Sequence, residues 1–406
     1  MTVPELSCGA GTFNRDCPRA QLWYKGSVLA LRLALAVAVS IAVILTTPFI
    51  RDIRDWIRSA FPGQYGNVVT AIVALAIGSA LVGALVKIRN RRLLRYAAIV
   101  AALTLGTAYA LWNAQGIPEV DAVERVHFVE YGLITLLFYR VWRPGGDASM
   151  FVLPILAGIA VGTLEEWLQW IIPGRVGDMR DVFLNGAAIV CGLLFIVGVD
   201  PPDAGAFALR PGALRRIGVV AAVVTLLFAS FVYSVHVGVE TIDPDAGRFR
   251  SRYDAATLLN ISQDRLALWK DHPPIERPHS RSREDQYMSE GLLHVQERNR
   301  RWDAGDMRAA WAENLILEKY FAPVLDTPSY ISKTGHRWPA EQRAAAEQRG
   351  SASASAAGSY ESRADVAEGR HFIRTWPPLV FWVIASVAVC GVLAVCLALD
   401  GRRERR

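Results

Sequence analysis

Apolar runs of about twenty residues recur along the chain, and short charged segments separate them. A bilayer core about 30 Å thick is crossed by roughly 20 apolar residues in an α-helix. The pattern therefore predicts an all-α fold, a polytopic transmembrane helical bundle of about eight helices. These predicted helices lie near residues 27–49, 67–86, 96–113, 126–142, 151–172, 181–199, 217–238 and 377–399.

One hydrophilic stretch, residues 239–375, interrupts this pattern. It is rich in Arg, Glu, Asp, Gln and Pro, and apolar residues recur in it at helical spacing over 254–270, 283–302 and 307–321. The stretch is predicted to form a small, mainly helical insert on the extracytoplasmic side. Its end, residues 340–370, is rich in Ala, Ser and Gln and is predicted to be a flexible linker.

The orientation of the bundle follows from the positions of Lys and Arg, because positive residues in short loops stay on the cytoplasmic side. Their densest group, residues 87–95, follows the second predicted helix and places both termini inside. Residues 52–61 are predicted to form a short interfacial helix. The predicted organisation is a cytoplasmic segment over 1–26, a seven-helix transmembrane core over 27–238, the extracytoplasmic insert over 239–375, and a final helix with a basic cytoplasmic tail over 376–406.

Composition supports this class and argues against others. The mean hydropathy is +0.24, and the formal net charge of +6 comes from Lys and Arg that lie mostly at helix ends, so no nucleic-acid partner is predicted. The five cysteines include no Cys-x-x-Cys pair, and the histidines of the insert lack the spacing of metal ligands. No metal site and no cofactor are therefore predicted. The lipid bilayer is the predicted partner of most of the chain.

Several polar residues lie inside the apolar helices, where a charged side chain costs roughly 2.5–3.5 kcal/mol. His127, Glu130 and Tyr131 have the spacing i, i+3 and i+4, which places them on one face of the fourth predicted helix. Such residues are typical of functional sites in membrane proteins. This face is predicted to lie near the extracytoplasmic end.

A second group of polar residues surrounds the loop between the fifth and sixth predicted helices. Glu166 and Gln169 share one stripe before the loop, and Asp181 and Asn185 share another after it. Arg175 in the loop is predicted to approach Glu166. All these residues are predicted to converge with the fourth helix in a polar cluster that is either ligand-binding or structural.

In order and spacing, these residues resemble the VanZ-like membrane proteins. That family has a His and a Tyr early in one helix, Glu-x-x-Gln late in the next, a Gly-Arg loop, and Asp-x-x-x-Asn followed by spaced glycines. The matching residues are His127, Tyr131, Glu166, Gln169, Gly174, Arg175, Asp181, Asn185 and Gly192. The resemblance covers about residues 95–200. Ala188 stands where the pattern usually has Gly, which affects only helix packing.

The resemblance implies a multi-pass protein of the bacterial inner or plasma membrane, in a family named for a member linked to teicoplanin resistance. The favoured function is binding of a lipid-linked or cell-wall-related envelope precursor, with an effect on glycopeptide susceptibility. A membrane enzyme is an alternative, with Glu166 or His127 as general base and Arg175 holding a phosphate-bearing head group. A transporter is a second alternative. No nucleophile motif is evident, so no catalytic residue is assigned.

Overall fold

The computed structural model describes residues 18–405 except 115, 117, 173–176, 178, 204, 272–285, 330–331, 352–359 and 365–373. The helices before the insert are α1 (Pro18–Thr46), α2 (Ile50–Ala60), α3 (Tyr65–Lys87), α4 (Arg92–Asn113), α5 (Pro118–Trp142), α6 (Ser149–Ile171), α7 (Met179–Val199) and α8 (Ala213–His236). The later helices are α9 (Ala255–Asp271), α10 (Gln286–Asp303), α11 (Met307–Tyr320), α12 (Ala322–Asp326), α13 (Ala340–Ser351) and α14 (Pro378–Glu404). The strands are β1 (Val237–Asp243), β2 (Gly247–Ser251) and β3 (Arg374–Thr375).

Within the described residues, seven helices are long and apolar enough to cross a membrane. They are α3, α4, α6, α7, α8, α14 and the part of α1 that contributes to Ser27–Phe49. Each overlaps a helix predicted from the hydropathy pattern. The predicted all-α, polytopic membrane fold is therefore confirmed, and the protein is a multi-pass membrane protein embedded in a lipid bilayer.

The chain divides into two compact units. The first comprises residues 1–161, 183–221 and 393–406, and the second comprises residues 162–182 and 222–392. In the first unit, α5 packs against α1 and α3, and its apolar side chains join those of α1, α6 and α7 in one cluster. This cluster forms the main apolar core of the first unit.

The helix α5 is the eighth predicted span and the most polar of them. Its 25 residues are enough to cross a bilayer, but Glu124, Arg125 and Glu130 weaken its hydropathy signal. Its Tyr131 and Ile134 are fully buried. A helix surrounded by other helices does not need apolar side chains on every face, because few of its side chains meet lipid. Its crossing of the membrane stays a prediction.

Cationic side chains hold the C-terminal end of α7 in the first unit. Arg95 donates hydrogen bonds to backbone oxygens of the last turn, including that of Gly198 at 2.8 Å. The carboxylate of Asp200 lies 3.3 Å from Arg143 and 3.7 Å from Lys87. Cations stabilise a helix C-terminus because its last carbonyl groups lack partners within the helix. The basic residues that indicate topology thus also fix the end of α7.

The second unit contains the insert. Its strands pair in the order β2-β1-β3, with β1 and β2 antiparallel and β3 parallel to β1. The helices α10 and α11 pack against each other as a helical hairpin, and the side chain of Asp306 caps α11 by accepting a hydrogen bond from the backbone N–H of Ala309. The apolar core of the insert includes Phe249 from β2, Tyr287 from α10 and Leu317 from α11.

The first part of the predicted flexible linker is instead a packed helix, α13. Gly350 lies so close to α11 that a Cβ atom there would be 2.5 Å from the Cβ of Trp311. Arg343 forms hydrogen bonds of 2.7 and 2.9 Å to the carboxylate of Glu318. Alanine favours helix, and small residues allow a close approach to a neighbouring helix without large apolar groups. The linker prediction is therefore wrong over Ala340–Ser351, and residues 352–359 and 365–370 lie outside the described residues.

The sheet was also absent from the prediction of a mainly helical insert. β1 begins directly after His236, the last residue of α8. Fully buried and exposed positions do not alternate regularly along its seven residues, and β3 has only two residues. Such short strands carry little periodicity, and their pairing joins residues more than one hundred positions apart. This is why the apolar spacing did not reveal them.

Candidate functional site

His127 and Tyr131 lie on one face of α5 in the first unit. Their rings are stacked, with 6.2 Å between centroids and 29° between planes. Tyr131 is fully buried. The Nδ1 atom of His127 is also buried, and it has no hydrogen-bond partner among the described residues. The helix therefore buries an imidazole nitrogen that forms no hydrogen bond within the described part of the chain.

Asn185 on α7 has the same property and belongs to the same unit. Its side chain is only 1% exposed, and within the described part of the chain neither its Nδ2 nor its Oδ1 has a partner. Leaving a buried polar group without a partner costs about 1–3 kcal/mol. Such groups are rare in folded proteins, so each one calls for a physical explanation.

The packing of α7 against α5 places Asn185 near the level of His127. The helices run in the same direction, because Gly192 lies against Gly132 and the end of α7 clusters with Tyr139 further along α5. Asn185 precedes Gly192 by seven residues and His127 precedes Gly132 by five. At 1.5 Å per residue these offsets are about 10 and 8 Å. The two unpaired groups therefore lie within about one helical turn of each other along the helix axes.

Glu166 and Gln169 lie together on α6 in the second unit. The side-chain amide of Gln169 donates hydrogen bonds to Glu166 at 2.9 Å and to Glu165 at 3.3 Å, and all three side chains are buried. Glu165 was not among the predicted site residues. The signal that could have identified it is the pair of adjacent carboxylates inside an apolar helix.

Two of the other predicted site residues lie on separate helices. Glu130 lies on α5, Asp181 lies in the first turn of α7, and Arg175 lies outside the described residues. Gly177 folds back against α6, where a Cβ atom would be 2.3 Å from the backbone oxygen of Glu166. The first unit holds His127, Glu130, Tyr131 and Asn185, and the second holds Glu166, Gln169 and Asp181. Convergence of the two groups, and the approach of Arg175 to Glu166, stay predictions.

His236 is a further polar residue that sequence reasoning missed. Its Nε2 accepts a hydrogen bond of 3.2 Å from the backbone N–H of Met179, the first residue of α7 in the second unit. Its ring also contacts that of Phe231 edge to face. His236 therefore satisfies one of the free N–H groups at the N-terminus of α7. Its position as the last residue of an apolar helix gave no sequence signal for this role.

A second buried polar cluster lies in the insert around Glu313. Its carboxylate accepts hydrogen bonds from Tyr360 at 2.6 Å and Ser362 at 2.5 Å, and lies 2.7 Å from Nδ1 of His294. Burial, and next the charge of Glu313, raise the pKa of Tyr360, so its hydroxyl stays protonated as a donor. Ser362 and Glu313 both approach the same nitrogen of His294, whereas a serine-hydrolase relay uses opposite nitrogens. The cluster therefore has the geometry of a structural network.

The chemistry available at His127 and Asn185 is hydrogen bonding. An amide side chain can donate and accept, and a neutral imidazole nitrogen can do either, depending on its tautomer. Among the described residues, no three His, Cys, Asp or Glu side chains are grouped so that they could hold a metal ion. The pair of helices thus offers groups that could donate hydrogen bonds to a ligand or accept them from it.

The close contact of α5 and α7 depends on glycine and can be tested. A Cβ atom at Gly192 would be 2.8 Å from the Cα of Gly132. Gly192→Ala is therefore expected to lower the free energy of unfolding by about 1–3 kcal/mol, because the helices must move apart. Thermal unfolding of the purified protein in detergent measures the change.

Gly186 is the matched control for this prediction, because it lies on the same helix and a Cβ atom there would meet nothing within 4 Å. Gly186→Ala is expected to be neutral or to stabilise the protein by about 0.5–1 kcal/mol, since alanine favours helix. Equal effects of the two substitutions would contradict the proposed packing.

Comparison with known proteins agrees with the resemblance found in the sequence. Residues 35–199 match the family described as VanZ/LLP1, a range that includes α3, α5 and α7 and the residues His127 and Asn185. No curated protein matches the chain, and no solved structure does. The polar residues of α5, α6 and α7, the apolar spans and this match together make residues 35–199 a region similar to the VanZ/LLP1 family.

Proposed function

We propose that this VanZ-like protein binds a lipid-linked or cell-wall-related ligand in the bacterial plasma membrane, and that binding alters susceptibility to glycopeptides of the teicoplanin type. The ligand would contact the polar groups of α5 and α7 at the level of His127 and Asn185. The observation that carries the proposal is the buried amide of Asn185, which has no hydrogen-bond partner among the described residues. The match to the VanZ/LLP1 family supports the link to the cell envelope.

The energetic cost of Asn185 favours a role in binding over a role in packing. A leucine would fill a similar volume at this position without leaving a donor and an acceptor unpaired. Polar groups retained inside membrane helices at such a cost are typical of ligand or substrate sites. Neither amide atom is in contact with solvent, so binding requires a neighbouring side chain to move.

The substitution Asn185→Leu tests this proposal. A deletion strain would be complemented with the wild-type or variant gene, and the teicoplanin susceptibility of the cells would be measured. Native mass spectrometry of the purified proteins would identify lipid-linked species that remain bound. We expect the variant to lose the bound species and the susceptibility phenotype, while its midpoint of thermal unfolding in detergent stays equal or rises.

Ser40→Ala is the control, because Ser40 is also buried in an apolar helix but donates a hydrogen bond of 2.8 Å to the backbone oxygen of Ala36. This variant should behave as the wild type does in both assays. A variant Asn185→Leu that keeps its bound lipid and its phenotype would refute the proposal, as would one that unfolds at a clearly lower temperature. Accumulation of an envelope precursor in the deletion strain would instead favour an enzyme.

A further inference from the structure

The short helix α2 is confined by its connections. The 3₁₀ turn Thr47–Phe49 joins it to the end of α1, and four residues separate its last residue, Ala60, from Tyr65 at the start of α3. Both α1 and α3 contribute apolar segments long enough to cross a membrane. Because the links are short, α2 must lie close to the membrane surface at which α1 ends and α3 begins.

One side of α2, continued by Phe49 of the preceding 3₁₀ turn, carries large apolar residues that the described part of the protein does not cover. Phe49, Ile53 and Trp56 are 59%, 46% and 67% exposed. Their spacing of i, i+4 and i+7 places them within about 60° of one another around the helix axis, at 100° per residue. They form a continuous apolar stripe, here called the α2 stripe.

The rest of α2 is fixed against the protein or carries charge. Ile57 is nearly buried and clusters with Tyr65 and Val69 of α3. Arg54 and Arg58 lie on the side opposite the α2 stripe, and the guanidinium of Arg58 is 5.4 Å from the centre of the ring of Tyr65. The contact with α3 fixes the rotation of α2, so the stripe cannot turn inward.

The neighbouring span α3 also carries exposed apolar side chains. Ile72 and Leu75 of α3 are exposed to more than half of their area. These residues lie in a helix apolar enough for the bilayer, where lipid covers such side chains. Tryptophan and arginine are also the residue types enriched where a helix meets the membrane surface.

We propose that α2 is a membrane-surface anchor whose stripe of Phe49, Ile53 and Trp56 inserts into the lipid leaflet, at the boundary between head groups and acyl chains. The occupant of this surface is phospholipid. Arg54 and Arg58 lie on the head-group and water side. The anchor holds the link between the first two spans in the plane of the membrane, separately from the ligand site of α5 and α7.

Spin labels test the depth of the stripe. Ile53→Cys and Trp56→Cys would be labelled in the full chain, with its five native cysteines replaced, and reconstituted into phospholipid vesicles. Collisions with oxygen, which concentrates in the acyl region, are expected to exceed collisions with a water-soluble nickel chelate at both positions. Asp55→Cys is the matched control, since the Asp55 side chain is 57% exposed but faces away from the stripe. The label at position 55 should collide more often with the nickel chelate than with oxygen.

A second measurement guards against poor folding of the cysteine-free chain. Benzoylphenylalanine at positions 53, 56 and 55 of the otherwise native chain would be irradiated in membranes, and adducts would be identified by mass spectrometry. Phospholipid adducts are expected at 53 and 56 but not at 55. Water-exposed labels at all three positions, or adducts of 53 and 56 with protein alone, would overturn the proposal.

Discussion

Replacing Glu313 by Ala is expected to lower the local free energy of unfolding of α10 and α11 by about 3–5 kcal/mol, the cost of breaking a buried charged cluster. The carboxylate is fully buried and is the shared partner of His294, Tyr360 and Ser362. Without it these groups lose that partner in an interior with little water. Hydrogen exchange of the backbone amides of both helices measures this local free energy.

Glu347→Ala is the matched control. Glu347 lies on α13, and its side chain is 51% exposed and accepts a hydrogen bond of 3.0 Å from Arg343. An exposed pair of this kind contributes about 0–1 kcal/mol. If Glu313→Ala and Glu347→Ala change the exchange rates of α10 and α11 equally, the Glu313 cluster does not hold the insert together.

Lowering the pH from about 6.5 to about 4 is expected to destabilise the insert by about 3 kcal/mol through His336, at about 1.4 kcal/mol for each unit of pKa shift. Burial, and next the positive charge of Arg298, lower the pKa of His336 from 6.5 to about 4. Between these values the unfolded chain binds a proton that the folded chain does not, so stability falls as the pH falls. Above pH 6.5 the contribution of His336 is fully present, and below about pH 4 no further loss arises from it.

The structure around His336 explains why its charged form is disfavoured. The guanidinium of Arg298 donates a hydrogen bond of 2.6 Å to the backbone oxygen of His336 and stacks on Trp338, 4.5 Å from the ring centre. Burial also lowers the pKa of Arg298, to about 10, so it stays positively charged throughout this pH range. Protonation of His336 would therefore place two positive charges side by side in the interior.

The variant His336→Gln tests this assignment, because it removes the titrating group. Hydrogen exchange in the insert at pH 7, 5.5 and 4.5 should show a loss of stability in the wild type that the variant lacks. Burial raises the pKa values of Asp243, Glu297 and Glu318, but hydrogen bonds from their partners outweigh it and lower them overall. These carboxylates therefore take up protons mainly below their ordinary pKa values of 3.8 and 4.5, and they contribute little to the change between pH 7 and 4.5. Identical pH profiles for wild type and variant would contradict the role of His336.

The membrane-spanning part of the fold could be predicted because its physics is local. Each helix that faces lipid must be apolar over its whole length, so its position appears in the sequence without knowledge of its neighbours. The helix α5 differs because it packs among other helices and has less contact with lipid. Its apolar signal in the sequence is correspondingly weaker. The insert followed the rule less well, since β1 and β3 form their pairing through residues far apart in the chain.

The sequence by itself determined the apolar spans, the helical faces that carry His127, Glu166 and Asn185, and the resemblance to VanZ-like proteins. Only the tertiary structure decided that α13 packs on α11, that Glu313 joins α11 to α10 and to the segment of Tyr360 and Ser362, and that the amide of Asn185 is buried without a partner in the described part of the chain. The physical reason is that periodicity along one helix specifies which side is buried. The identity of the groups that meet that side depends on how distant segments pack.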